Sequence, residues 1–249
     1  MSNTSGRTAG ESSLPPSDLV ALSGDLLGAV RTDGSVDEYV EQVAALDESS
    51  LDRLGDDQDA LKAFWINCYN AAAQIGLQEL SDPLDDKRAF FGDRRFVVAA
   101  TPRSLDDMEH GILRASMSKY GLGYLPSLFR DEFERRHRLS EVEYRIHFAV
   151  NCGASSCPPI RSYHADRIDE ELDIATASYL ETEAEYDPDA GTVSVPRLLL
   201  WYRGDFGGRD GVYDLLHRHE VVPENERPSV SYRKYDWTPV AGMYADATE

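Results

Sequence analysis

Three features of the sequence predict an α+β fold, with several helices packed around a small, mainly antiparallel sheet. Residues 57–80 make a helical pattern that is apolar nearly all round. Residues 143–152 alternate apolar and polar side chains, as a strand does. Helical and strand-like segments then mix along the 249 residues without the βαβ rhythm of a parallel sheet. Hydrophobic residues make up 41% of the chain, enough for a substantial core.

In chain order, residues 1–16 are rich in Ser, Gly, Thr and Pro and are expected to be a disordered tail. Residues 17–55 read as a helical lead-in of short amphipathic helices. Leu19, Leu22, Leu26 and Val30 share one apolar face, and Tyr39, Val43 and Leu46 the next. A single α+β domain is expected over residues 56–240. In its helix 57–80 the single narrow polar stripe carries Asn67, Asn70 and Gln74. A helix apolar on nearly every side is buried, so these amides must find hydrogen bonds: they tie down neighbouring backbone or line a pocket.

Residues 95–100 predict a strand. Ser104-Leu-Asp-Asp107 resembles a capping box, with Asp in place of Glu or Gln, opening a helix to about residue 117. Glu109 falls inside the apolar arc of that helix. A carboxylate there must be paired or take a raised pKa, so an ion pair with an arginine and a functional acid or base are both open. His110 lies on the more polar side, one turn before Arg114.

In the strand expected at 143–152, Tyr144, Ile146, Phe148, Val150 and Cys152 share one face; Arg145, His147, Ala149 and Asn151 share the other. It runs into a Gly/Ser-rich loop ending at Cys157-Pro158-Pro159. A helix over 165–185, a strand over 192–196, a helical stretch 197–219 broken by glycines at 204–208, and a strand from Val230 to Trp237 complete the reading.

The formal charge of −20 arises from 45 acidic and 25 basic residues, and lysine occurs only at Lys62, Lys87, Lys119 and Lys234. An acidic, lysine-poor surface suits a high-salt cytoplasm, where screening weakens self-repulsion; a halophilic source is the expectation, against an ordinary acidic protein. No basic stripe is present to release counterions from phosphates, which argues against nucleic acid as a partner. The one basic run, Arg135-Arg136-His137-Arg138, reads as a solvated helix end. No apolar run approaches membrane-spanning length, so no membrane partner is expected. The first residues show neither a basic start nor an apolar signal core, and a cytoplasmic location is expected. Cys68, Cys152 and Cys157 are too few for a disulfide framework.

Four segments together resemble a known family. They are Phe64-Trp-Ile-Asn-Cys-Tyr-Asn70, Leu105-Asp-Asp-Met-Glu-His-Gly-Ile-Leu-Arg114, His147-Phe-Ala-Val-Asn-Cys-Gly-Ala-Ser-Ser-Cys-Pro-Pro159, and Trp201-Tyr-Arg-Gly-Asp-Phe206 with Tyr235-Asp-Trp237. The family is the domain of unknown function 547, and the resemblance covers roughly residues 55–240. It implies a shared globular fold and no established activity. Cys68 stands where family members commonly carry an aliphatic residue and reads as core packing. The polar residues matched are Asn67, Asn70, Glu109, His110, Arg114, His147, Asn151, Cys152, Cys157, Trp201 and Asp205.

These residues support four readings. In the first, Cys157 is a thiolate nucleophile in its Gly/Ser-rich loop. His147 or His110 is its base, Glu109 or Asn151 orients that base, and Asn67 or Asn70 helps hold an oxyanion. The reaction is then hydrolysis or transfer at an amide or thioester. Cys152 is the poorer nucleophile, since strand parity puts it on the apolar face. In the second, Cys152, Cys157, His147 and His110 bind a metal, but the cysteines are five positions apart, outside the usual zinc spacing; no metal or other cofactor is expected. In the third, the same cysteines form a redox pair, at a spacing that departs from Cys-x-x-Cys. In the fourth, the domain binds a small molecule or peptide without turnover and the Asn/Cys/His cluster is structural. His217 and His219 are read as favourable charges at a helix end, His137 and His164 as exposed, and Trp201, Tyr202 and Phe206 as core.

Overall fold

A computed structural model describes residues 14–32, 34–80 and 82–245; most of the expected disordered tail therefore lies outside the described residues. The fold is α+β. Helix α4 (Gln58–Glu79) is its axis. The Asp57 side chain accepts from the backbone N–H of Asp59 and Ala60 and starts it. From Ala60 to Gln74 nearly every side chain is buried, as the all-round apolar pattern predicts. Helix α1 (Pro16–Thr32) lies along it and buries Leu19, Leu26, Leu27 and Val30 in the same core. The short helices α2 (Val36–Ala44), α3 (Glu48–Gly55), α5 (Lys87–Gly92) and α6 (Glu132–His137) complete this layer.

The second half carries α7 (Ile168–Glu183), α8 (Leu198–Trp201), α9 (Gly208–Arg218) and a small sheet. In that sheet β3 (Glu185–Asp187) pairs antiparallel with β4 (Thr192–Val195), and β4 pairs parallel with β5 (Ser229–Tyr232). A separate hairpin joins β1 (Phe96–Val98) to β2 (Thr101–Arg103). The single strand expected over 95–100 is thus the first arm of a hairpin. Its turn residues Ala99 and Ala100 both have positive φ, 46° and 56°. Paired positive φ values match the twist that tight hairpins need, normally with Asn or Gly. Here the turn amides are held instead: Ala99 donates to Val43 O and Ala100 to Ala44 O, the carbonyls that α2 leaves unpaired at its C-terminal end.

The helix opened by Ser104 is a π-helix, Asp107–Leu113, with i→i+5 bonds from Arg114 to Glu109 O and from Ser116 to Gly111 O. The capping box is reciprocal: Asp107 N–H donates to Ser104 Oγ at 3.0 Å, and Ser104 N–H to Asp107 Oδ2 at 3.1 Å. It ends before residue 117 because Ala115 and Ser116 enter the left-handed region.

The strand expected over 143–152 is corrected to a short 3-10 helix, Tyr144–Phe148, followed by irregular chain. Both parities of the alternation are buried: Ile146, His147, Phe148, Ala149, Val150, Asn151 and Cys152 all lie inside, so the pattern does not separate core from solvent. Arg145 pins the helix by bonding Glu143, Asp169 and Asp173.

The missing strand neighbours are replaced by asparagines of α4. Asn70 donates to Ala149 O at 3.0 Å and accepts from Asn151 N–H at 2.8 Å. Asn67 does the same to one residue, donating to Tyr163 O and accepting from Tyr163 N–H, both at 2.9 Å. Each amide presents one donor and one acceptor, as a paired strand residue would. Asn151 closes the loop beyond, donating to Pro158 O and accepting from Gly153 N–H, both at 2.7 Å. Gly153 has φ +84°, and a Cβ there would sit 2.1 Å from Leu77 Cδ1, so only glycine fits this bend.

The strand expected to reach Trp237 stops at Tyr232. The chain beyond it laces onto the cysteine loop instead: Ser155 N–H donates to Thr238 O, Ser156 N–H to Asp236 O, and Val240 N–H to Gly153 O.

Asn70→Ala should leave the Ala149 carbonyl and the Asn151 N–H unpaired in the core. At about 1–3 kcal/mol per orphaned group, the variant should lose roughly 2–6 kcal/mol in urea unfolding. A loss below about 1 kcal/mol would show that the asparagine does not substitute for a strand partner.

Candidate functional site

The lacing between residues 153–160 and the C-terminal segment brings Cys157 under an aromatic cover. Trp201, Tyr235 and Trp237 pack on one another, with centroids 4.7–5.9 Å apart. Beneath them is a cavity of about 80 Å³ whose lining includes Glu109, His147, Cys152, Cys157, Tyr202 and Tyr235.

Three polar groups face the Cys157 sulfur, of which the Cys152 N–H donates to it. The backbone N–H of Cys152 lies 3.3 Å away, the Tyr235 hydroxyl 3.2 Å, and the Cys152 sulfur 3.1 Å. All three cysteines are free thiols. Burial alone would raise the Cys157 pKa; the bonds from Cys152 and Tyr235 outweigh it and bring it down to about 7. Cys152 moves the opposite way, pushed well up by its bond to the Cys157 sulfur and by burial. Burial, then the negative charges of the two cysteines, also pushes the Tyr235 phenol up, so it stays a donor. Cys68 is buried far up in pKa and packs in the core.

His147 joins the same cavity from the 3-10 helix. Its Nε2 lies 2.8 Å from Asp205 Oδ2, its Nδ1 is buried without a partner, and its ring stacks on Tyr202 at 3.9 Å. Burial lowers its pKa, and the Arg114 guanidinium reinforces the shift over the pull of Asp205. The ring is therefore neutral, with the proton on Nε2 facing Asp205 and the Nδ1 lone pair free. Asp205 is held by two bonds from Arg114, 2.7 Å from Nε and 3.0 Å from Nη2, between side chains that are both 0% exposed. Burial works against its charge, yet the bonds from His147 and Arg114 keep its carboxyl below the usual range. Gly123 makes this approach possible: a Cβ there would lie 2.6 Å from Asp205 Oδ1.

Glu109 is 7% exposed and meets no arginine. Tyr202 donates to its Oε1 at 2.8 Å and Tyr69 to its Oε2 at 3.2 Å. Arg114, five residues on, is committed to Asp205 and to His110 Nδ1 at 2.9 Å. Burial, then the Glu109 carboxylate, pushes both phenols well up.

Of the expected site residues, Cys157, His147 and Glu109 line one cavity. His110 does not: it lines the neighbouring groove with Asp106 and Lys119, with its Nδ1 3.7 Å from Glu109 Oε1. Asn67, Asn70 and Asn151, expected to tie down backbone or bind a ligand, have both ends of each amide bonded to backbone in the core, and none lines the cavity. His137, expected to be exposed, is buried against Phe133, with its ring nitrogens 3.8 Å from Glu48 and 3.9 Å from Asp52. Among the described residues no group of three or more His, Cys, Asp or Glu is placed to hold a metal ion, and no helix is long and apolar enough to cross a membrane. Sequence reasoning matched Asp205 but gave it no role, read Tyr202 as core, and gave Tyr235 no place in the site. Their signal lay in the segments Trp201–Phe206 and Tyr235–Trp237.

The molecule is an α+β domain built around a buried thiol, imidazole and carboxylate cluster. A family model described as Protein of unknown function, DUF547, matches residues 54–180, just over half of the chain, and the chain belongs to that family. Glu109, His147, Cys152 and Cys157 fall inside the matched span; Asp205, Tyr202 and Tyr235 fall outside it. No curated protein and no solved structure matches the chain.

Asp205→Asn should leave Arg114 charged and buried without its partner. Losing one member of a buried pair costs about 3–5 kcal/mol, and the unfolding midpoint should fall accordingly; an unchanged midpoint would mean the pair is not desolvated in solution. His147 adds a pH dependence of defined sign. The unfolded ring binds a proton below about pH 6.5 and the folded ring only lower, so stability present above pH 6.5 is lost as pH falls. Urea midpoints at pH 7.5 and 5.5 should therefore drop further for the native chain than for His147→Gln, and equal drops would place a charged imidazole in the fold.

Proposed function

We propose that the protein is a cysteine-dependent acyl-transfer enzyme or hydrolase, with Cys157 as nucleophile, His147 as general base and Asp205 holding the base in its tautomer. The observation that carries this reading is a shared cavity. It contains a sulfur faced by three polar groups and an imidazole whose Nε2 is fixed by a carboxylate while its Nδ1 remains unpartnered. The same division of roles operates in acyl-transfer triads on unrelated folds. Glu109 is a positioning residue, which fixes Tyr202 beneath the His147 ring.

The protonation states narrow the substrate. A neutral imidazole cannot protonate a departing amine, but a thioester's leaving thiolate needs no proton. In the first step the Cys157 thiolate attacks the thioester carbonyl and expels a free thiolate, leaving a new thioester on Cys157. In the second, Nδ1 takes the proton of a water or acceptor group as that group attacks, and the Cys157 thiolate departs. The Tyr235 hydroxyl and the Cys152 N–H, which face the thiolate, are the nearest donors for the developing oxyanion. A cavity of about 80 Å³ has room for a few waters or a short acyl group.

A binding module without turnover is the second reading. Cys157 is only 5% exposed, and its sulfur is already surrounded by donors, as a fixed structural group would be. Two measurements separate the readings. With small acetyl thioesters, the native chain should gain one acyl group in a single-turnover mass spectrum, Cys157→Ala should gain none, and His147→Ala should accumulate the acyl-enzyme. Iodoacetamide should modify Cys157 with a midpoint near pH 7 while Cys68 stays protected. A Cys157 that resists alkylation at pH 8 and takes up no acyl group would leave the binding module.

A further inference from the structure

The site holds a second thiol that acyl transfer does not need. Cys152 and Cys157 are free, and their sulfurs lie 3.1 Å apart, both lining the cavity. A disulfide needs about 2.05 Å between sulfurs, so closure requires roughly 1 Å of movement. The loop between them is already bent for it: Gly153 takes its left-handed turn, Cys157 N–H donates to Ala154 O at 2.8 Å, and Asn151 clamps both ends. Cys68 lies apart, in the core on α4, and offers no competing partner.

We propose that Cys152 and Cys157 form a reversible dithiol–disulfide couple that reduces a small peroxide, with Cys157 as the attacking sulfur and Cys152 as the resolving one. This rests on the same Cys157 nucleophile as the acyl-transfer reading, but not on its histidine. The roles follow from the asymmetry of the pair. The Cys157 sulfur receives the N–H of Cys152 and the hydroxyl of Tyr235, donors that stabilise a thiolate, whereas beside its neighbour the Cys152 sulfur has a backbone bond from Ala154 but no hydroxyl. The lowered pKa of Cys157 and the raised pKa of Cys152 agree with that assignment. The cavity, at about 80 Å³, admits hydrogen peroxide under the aromatic cover.

The chemistry balances in three steps. The Cys157 thiolate attacks one oxygen of hydrogen peroxide, the O–O bond breaks, and Cys157 becomes a sulfenic acid as hydroxide leaves. The Cys152 thiol then attacks the sulfenic sulfur. The Cys152–Cys157 bond forms and water departs with the hydroxyl and the thiol proton. A small dithiol reductant restores both thiols by two exchange steps and is itself oxidised to a disulfide. Oxidation removes the nucleophile, so peroxide also switches acyl transfer off until the couple is reduced.

The test begins with the native chain. One equivalent of hydrogen peroxide should remove two hydrogens from the intact mass. Peptide mapping should place the bond between Cys152 and Cys157 with Cys68 still free, and dithiothreitol should reverse the change. Cys152→Ser should instead hold Cys157 as a sulfenic acid that dimedone captures. Free thiols after peroxide, oxidation of Cys157 to sulfinic acid with no bond to Cys152, or bonds through Cys68 or between molecules would each overturn the couple. Iodoacetamide on a parallel sample separates this from the thiolate reading. A Cys157 that alkylates but forms no disulfide overturns the couple alone, whereas one that does neither overturns both.

Discussion

The carboxylate of Asp205 is the charge around which the rest is arranged. It enters the interior on the chain after α8, far in sequence from its partners, and has no contact with solvent. Burying a carboxylate without compensation is prohibitive. The compensation arrives from two other segments, the Arg114 fork at the end of the π-helix and the His147 imidazole on the 3-10 helix. Three stretches of chain are fixed to one point as a result. Burial keeps His147 neutral and the permanent positive charge of Arg114 reinforces it, so the ring carries one proton, on the nitrogen that faces Asp205, and its Nδ1 stays unpartnered. The π-helix contributes to the same arrangement, because its widened turn places Glu109 and Arg114 where one meets the tyrosines and the other the aspartate.

Around that point the structure is rigid for a different reason. Asn67, Asn70 and Asn151 supply backbone hydrogen bonds where no strand runs alongside. Buried amide networks with both ends satisfied specify one geometry, since any shift leaves a donor or acceptor unpaired at considerable cost. The cysteine loop hangs from this network on one side and from the C-terminal lacing on the other. Its sulfurs are therefore held by the backbone scaffold rather than by their own packing.

Much of the fold was legible in the sequence. The apolar surround of α4, the Ser104–Asp107 box and the glycine break before α9 all follow from local rules, and the structure carries each of them. The alternation over residues 143–152 misled because period two implies a strand only when one face meets a different medium, and here both faces are interior. The hairpin at Ala99-Ala100 lacked the Asn or Gly that marks such turns, because the α2 carbonyls take over the work of a turn residue. For the site, residue type sufficed to nominate Cys157, His147 and Glu109. It failed for Asp205 and Tyr235, whose relevance depends on long-range placement: Asp205 is 58 residues from His147 and Tyr235 is 78 from Cys157. It left the asparagines open between two roles, since an amide that binds backbone and one that binds a ligand look alike in sequence.

The lacing of residues 236–240 onto the cysteine loop has a consequence for biosynthesis. A ribosome delivers Cys157 long before it delivers Tyr235, so the nascent chain carries the thiol through most of α7, the small sheet and α9 without the hydroxyl or the aromatic cover. During that interval the sulfur lacks one of the donors that hold its charge. The shell around Cys157 is therefore completed only when residues 235–240, the last part of the site to leave the ribosome, lay their aromatics over the loop and lace onto it.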